Sequence, residues 1–225
     1  MENHKKAAFF DLDNTLISGS SSFYFIKDFM SDGSLKFRNL IKMGLDHIKF
    51  VHNKTEDSQA MANAITQLLH FARDKRQSDI LDRCNDLARK LIQIKAFPKM
   101  LHRIKEHQSA GHDTWIVSAA PKEITSQIAL HLKMTGAFGT VGEVKNGRYT
   151  GKLESEPMHG PAKAQTVKKL AATRNYQLGE CFAYSDSVND LPLLASVGYP
   201  VVVNANKQLL TIAQKNSWKI LRDLK

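Results

Sequence analysis

Three short apolar runs, each closing on a polar side chain, constrain the fold of this chain more than any other feature. Ala7-Ala8-Phe9-Phe10 runs into Asp11, Asp113 to Val117 runs into Ser118, and Cys181 to Tyr184 runs through Ser185 into Asp186. Runs this short suit strands buried on both faces of a parallel sheet, which deliver their functional residues at the carboxyl edge. Helical spacing follows the second and third runs. Ala119-Ala120-Pro121 opens a helix through Ile124, Ile128 and Leu132, with Pro121 in its first turn. Asp190 is placed to cap a helix through Leu191, Leu194 and Ala195, again with a proline, Pro192, in the first turn. Lys99 to His107 is expected to be a helix with Leu101 and Ile104 inward, closed by Ala110-Gly111. Val201-Val202-Val203 and Trp218 to Leu221 read as further strands, and Lys207 to Lys215 as a short helix. Strands alternating with helices predict an α/β fold with a doubly wound, mostly parallel sheet.

Between the first and second runs the character changes. Ile17-Ser18-Gly19-Ser20-Ser21-Ser22 is small and polar, like a hinge between two bodies. From Phe23 to about Ile94 there is no proline, and apolar residues recur at helical spacing. One set is Leu40, Met43, Gly44, His47, Ile48 and Val51; another is Ile80, Leu81, Cys84, Leu87, Ala88 and Leu91. The expectation is an all-helical insert over residues 18–95, interrupting a main body of residues 1–17 and 96–225. Its aromatics, Phe23, Tyr24, Phe25, Phe29, Phe37, Phe50 and Phe71, suit a small core of the insert's own, and could also line a pocket.

With 42% hydrophobic and 24% charged residues, the 225-residue chain has the composition of an ordinary globular protein. Its formal net charge of +10 favours anionic partners, but the basic residues are scattered, so nucleic-acid binding is not expected. Cys84 and Cys181 form no metal-ligand pair and read as buried thiols. Only four apolar residues precede Asp11, too few for a signal-peptide core, and no apolar run is long enough to span a membrane. A reducing cytoplasm is the expected location. Nothing here indicates an oligomeric state.

The shared strand edge would collect Asp11, Asp13, Ser118 and Asp186, with Lys163 and Asp190 close behind. An isolated Asp-x-Asp equally describes a surface turn, and an isolated Ser118 an ordinary capping serine. Several carboxylates converging would repel, and a hard divalent cation such as Mg²⁺ resolves the repulsion through oxygen ligands. Ser118, beside the amides of a helix start, suits an anion. Lys163 follows Gly160-Pro161-Ala162 in the first turn of a helix, where its charge opposes the helix dipole. His159 lies in the same loop. A metal and a cation flanking an anion-sized gap suit phosphoryl transfer. Val141 to Gly151, with Asn146-Gly147 at its centre, reads as a β-hairpin without chemistry of its own.

Taken in order, Asp11-Leu12-Asp13-Asn14-Thr15, the run ending in Ser118, Lys163, and Asp186-Ser187-Val188-Asn189-Asp190 resemble the four motifs of the haloacid dehalogenase superfamily of phosphatases. The wording around Ser118 and Asp186 resembles its subfamily IB, the phosphoserine-phosphatase-like group. The resemblance implies a Rossmann-like core with a C1 cap inserted after the first strand, and a Mg²⁺-dependent phosphomonoester hydrolase. Asp11 would be the nucleophile that forms an aspartyl-phosphate, and Asp13 the general acid and base. Asn14, Ser118, Ala119, Lys163 and Asn189 would bind phosphate. Asp11, Asp13 and Asp186 would hold the metal, and Asp190 would orient Lys163. The partner would be a small phosphorylated metabolite. One departure stands out: phosphoserine phosphatases usually carry a substrate-binding Glu shortly after the first motif, where this chain has Ser18-Gly19-Ser20-Ser21-Ser22. Phosphoserine is therefore not the expected substrate, and a bulkier ester, histidinol-type or phospholipid-derived, fits equally well. The alternatives are phosphoryl transfer to an alcohol, or a phospho-aspartyl switch or binding protein on the same scaffold.

Overall fold

The computed structural model describes residues 5–30, 65–66 and 68–222. Its centre is a six-stranded sheet built from β1 (Ala7–Phe10), β2 (Asp113–Pro121), β3 (Gly136–Thr140), β6 (Phe182–Ser185), β7 (Tyr199–Val203) and β8 (Lys219–Leu221), in the spatial order β3-β2-β1-β6-β7-β8. Every pairing in it is parallel. The remaining strands, β4 (Gly142–Lys145) and β5 (Arg148–Leu153), form the antiparallel hairpin expected around Asn146-Gly147. Both turn residues have positive φ, 50° and 72°, as a two-residue primed turn requires.

The helices among the described residues are α1 (Ser21–Met30), α2 (Gln77–Lys95), α3 (Pro98–Ser109), α4 (Lys122–His131), α5 (Pro161–Arg174), α6 (Leu191–Leu194) and α7 (Lys207–Lys215). Residues 65–66 and 68–72 are also helical. The period-2 geometry of β1 divides the core. Ala8 and Phe10 join a cluster with Ile80, Ile104, Ile124 and Ile128 from α2, α3 and α4. Ala7 and Phe9 join a second cluster with Val167, Leu193 and Leu209 from α5, α6 and α7. The sheet is thus wound on both faces. Among the described residues no helix is long and apolar enough to cross a membrane.

Several local expectations shift. The inward residues of α3 are Met100, Ile104 and His107, and Leu101 is only half-buried. Pro121 is not inside α4 but immediately before it, because β2 runs on to pair Pro121 with Thr140 through an irregular register. The helix after Asp190 has only four residues. Sequence reading missed β3, whose Gly136 is required where the Trp115 ring lies: a Cβ there would meet it at 2.6 Å. In the insert, the rings of Phe25, Phe29 and Phe71 do pack together in tilted and edge-to-face pairs, with centroids 4.7 to 6.3 Å apart. Among the described residues they form no separate core, since they belong to the cluster that includes Phe10 of the sheet. The periodic set Leu40 to Val51, and Phe37 and Phe50, lie outside the described residues.

Candidate active site

The β1 strand ends at Asp11, whose amide still donates to the Tyr184 carbonyl of β6 at 2.9 Å. Beyond it the chain curls tightly: the amides of Thr15, Leu16 and Ile17 all donate to the Leu12 carbonyl. Asn14 takes a positive φ of 54°, which asparagine tolerates, and its Oδ1 accepts the Gly19 amide at 3.0 Å. This fold-back brings the start of α1 to Asp13, whose Oδ1 accepts the Ser21 amide at 2.8 Å. In this structure the Ser18 to Ser22 segment is anchored, with Ser21 and Ser22 already helical and the Ser18 amide bonded to Lys95.

Lys163 sits at the centre of the acidic edge. Only 3% exposed, it donates from Nζ to Asp11 Oδ1 at 2.8 Å and to Asp190 Oδ2 at 2.7 Å. Burial alone would lower its pKa, but the Asp11 and Asp190 carboxylates outweigh burial and hold the ammonium firmly charged. This explains the lysine in the first turn of α5: two buried carboxylates, not the helix dipole, set its energy. Asp190 is the correction here. Its side chain makes no capping bond to α6; its Oδ2 accepts both Lys163 and the Ser185 hydroxyl, the latter at 2.7 Å.

The same burial acts on the acids. Asp11 is pushed up to about 7, mainly by desolvation; Lys163 opposes the rise while Asp190 and Asp13 add to it. Burial also raises Asp13, with the Ser21 amide pulling the other way.

Asp186 follows β6, the neighbour of β1, and is joined to the Asp11 loop through Thr15. The Thr15 hydroxyl donates to Asp186 Oδ1 at 3.2 Å, and the Asp186 amide donates back to it at 3.1 Å. Ser118 ends up buried on β2, the other neighbour of β1, and its Oγ accepts the Ala120 amide at 3.2 Å. The Ala119 carbonyl accepts the Thr140 hydroxyl at 2.7 Å. Asn189 donates its amide to Ser187 Oγ at 3.0 Å, in the loop that carries Asp190. Thr15, Ser185, Ser187 and Thr140 were not singled out from sequence; each acts through a hydroxyl bond to a residue distant in the chain or in a loop. No hydrogen bond or ion pair among the described residues joins His159 to this cluster.

The donors suit Mg²⁺. Asp11 and Asp186 offer only oxygen and follow adjacent strands. Among the described residues no three Asp, Glu, His or Cys side chains are grouped to hold a metal. The third ligand that the resemblance implies, the main-chain oxygen of Asp13, is not a side chain.

The family profile described as haloacid dehalogenase-like hydrolase matches residues 8–195, from β1 to just beyond α6. The chain belongs to this family. It is 33% identical over 214 residues to a phosphoserine phosphatase of Mycobacterium tuberculosis, covering 95% of this chain and 70% of that one. It is 30% identical over 232 residues to a histidinol-phosphatase of Neisseria meningitidis, covering 96% and 98% of the two chains. A Bordetella pertussis protein of unknown function superposes with a TM-score of 0.82 at 27% identity, over 99% of this chain and all of that one. This haloacid dehalogenase-like chain is accordingly an enzyme, a phosphatase, resembling the phosphoserine-phosphatase-like group of its superfamily.

Proposed function

We propose that this phosphatase hydrolyses a small phosphomonoester in two steps through an aspartyl-phosphate on Asp11, with Mg²⁺ as cofactor. The observation that carries the proposal is the buried ammonium of Lys163 held between Asp11 and Asp190, a positive charge fixed beside a carboxylate at the end of a central strand. In the first step the Asp11 carboxylate attacks phosphorus as the bond to the leaving oxygen breaks, and Asp13 gives its proton to that oxygen. In the second, Asp13 takes a proton from water, which attacks phosphorus and releases Asp11. Ser118, Lys163 and the amides near Asn14, Ala119 and Asn189 hold the phosphoryl oxygens. Mg²⁺, held by Asp11, Asp186 and the Asp13 main-chain oxygen, would supply the charge that neutralises the phosphoryl group. Residues 18–95 serve as a cap on a core of residues 1–17 and 96–225.

The serine-rich segment after the first motif supports a substrate other than phosphoserine. The Neisseria relative named histidinol-phosphatase, aligned over nearly its full length, is consistent with that reading. The test is phosphate release from a panel of esters, with Mg²⁺ or EDTA, by wild type and Asp11→Asn. Metal-dependent release that disappears in Asp11→Asn is expected; an Asp11→Asn enzyme that keeps the wild-type rate overturns the mechanism.

A further inference from the structure

Beside the strand edge lies a cavity of about 50 Å³ that the mechanism above does not use. Its walls come from both parts of the chain: Phe25, Leu68 and Ile80 from the insert, Ala119, Glu123 and Tyr149 from the main body. Ala119 directly follows Ser118, so the cavity opens next to the residues expected to hold phosphate. A phosphoryl group there would place its organic half in or near this space.

Most of the lining is apolar; its polar side chains are Glu123, Thr140 and Tyr149. Glu123, in the first turn of α4, is 8% exposed, and its Oε1 accepts the Tyr149 hydroxyl at 2.8 Å. Burial first, and then the Glu123 carboxylate, push the Tyr149 phenol well above its ordinary range, so it remains a donor. The ring of Tyr149 is fixed against Gly142, where a Cβ would approach it to 3.2 Å. Among the described residues no Lys, Arg or His side chain pairs with Glu123. The first-turn amides of α4 and one phenol can offset part of a carboxylate's charge at this position, but no described residue supplies a full positive one. A buried carboxylate so placed is costly unless a cation meets it.

We infer that Glu123, held by Tyr149, is the specificity-determining residue of this site and selects the phosphate ester of an amino alcohol whose cationic nitrogen it binds. This deepens the proposed function and rests on it. An ester carrying its own carboxylate beside the amine, as phosphoserine does, would be repelled by Glu123. The selectivity therefore comes from α4 and β5, not from the serine-rich segment after β1.

The experiment compares phosphoethanolamine and histidinol phosphate with ethyl phosphate and phosphoserine, for wild type and Glu123→Gln, whose amide oxygen can still accept from Tyr149. Wild type should prefer the amino alcohol esters. Glu123→Gln should reduce the ratio of their kcat/KM to that of ethyl phosphate about ten- to a hundredfold, mostly through KM. Equal losses for charged and uncharged esters, or no wild-type preference, overturn the inference. Thermal shift with each ester gives a readout independent of turnover. Stabilisation that depends on Glu123 without phosphate release would keep the pocket assignment and refute the hydrolytic reading. The absence of both would refute the assignment as well. If Glu123→Gln does not fold, Tyr149→Phe leaves the carboxylate in place and should retain the preference for cationic esters; its loss would mean the phenol is the determinant and would overturn the inference.

Discussion

Replacing Lys163 by methionine tests the electrostatic centre of the site most directly. In the native enzyme the ammonium lies 2.8 Å from Asp11 Oδ1 and 2.7 Å from Asp190 Oδ2, with side-chain exposures of 4%, 8% and 1% for the three residues. At an effective dielectric of about 20, each such contact corresponds to ~6 kcal/mol of attraction, most of it offset by desolvation and by repulsion between the two acids. Methionine is close in length, so packing survives. What is lost is the charge between two buried carboxylates, and breaking a buried pair from one side costs about 3–5 kcal/mol. For a chain of this size that is about 6–20 °C in Tm. Asp190→Asn should cost less, about 1–2 kcal/mol, because Lys163 keeps Asp11 and the amide oxygen still accepts from Ser185. Adding Asp11→Asn to Lys163→Met should recover part of the loss, since it removes one of the stranded charges. Urea denaturation of the four proteins at pH 8 with a chelator measures all three differences. A Lys163→Met protein as stable as wild type, or less damaged than Asp190→Asn, would refute the argument that this lysine neutralises the acidic edge.

Two further outcomes are expected away from the phosphate site. His107 is buried with Nε2 on the Tyr184 hydroxyl at 2.8 Å, and burial, aided by His112, lowers its pKa to about 4. Because the unfolded chain takes up this proton near its ordinary value of about 6.5, stability should be full above that pH and fall by roughly 2–3 kcal/mol as pH drops toward 4. Denaturation midpoints followed over that range should lose this component of the slope in His107→Gln, and an unchanged slope would exclude His107 as its source. Gly198→Ala should be severe, because a Cβ there would lie 1.8 Å from the Gly179 carbonyl oxygen, a backbone atom that cannot swing aside. A loss of at least about 3 kcal/mol by thermal or urea unfolding is expected, whereas Gly179→Ala, with open space at its Cβ position, should change little.

The parts of this enzyme legible in its sequence are those whose signal is local. Buried parallel strands are short apolar runs, so the positions of β1, β2 and β6 and the polar residues at their ends could be read directly. The lysine in the first turn of α5 showed itself as a mild local conflict, and its partners in space resolve the conflict. Signals fail where a tertiary contact outweighs the local preference. Gly-Ala-Phe-Gly-Thr has no strand propensity to speak of, yet β3 forms because Gly136 alone leaves room for Trp115 and because β2 continues far enough to pair with it. Asp190 has the sequence of a helix cap, but a buried ammonium attracts its carboxylate more strongly than the amides of a four-residue helix do. The same logic hid the pocket. Glu123 looks like an ordinary first-turn acid and Tyr149 like an ordinary hairpin aromatic, and only the docking of β5 on α4 brings them together. Catalytic groups sit at strand ends because the fold delivers them there in a fixed order. The groups proposed to meet the leaving alcohol come from separate elements, Phe25 and Ile80 from α1 and α2, Glu123 and Tyr149 from α4 and β5. A change in substrate can therefore arise at α4 and β5 without altering any motif that places the chain in its family.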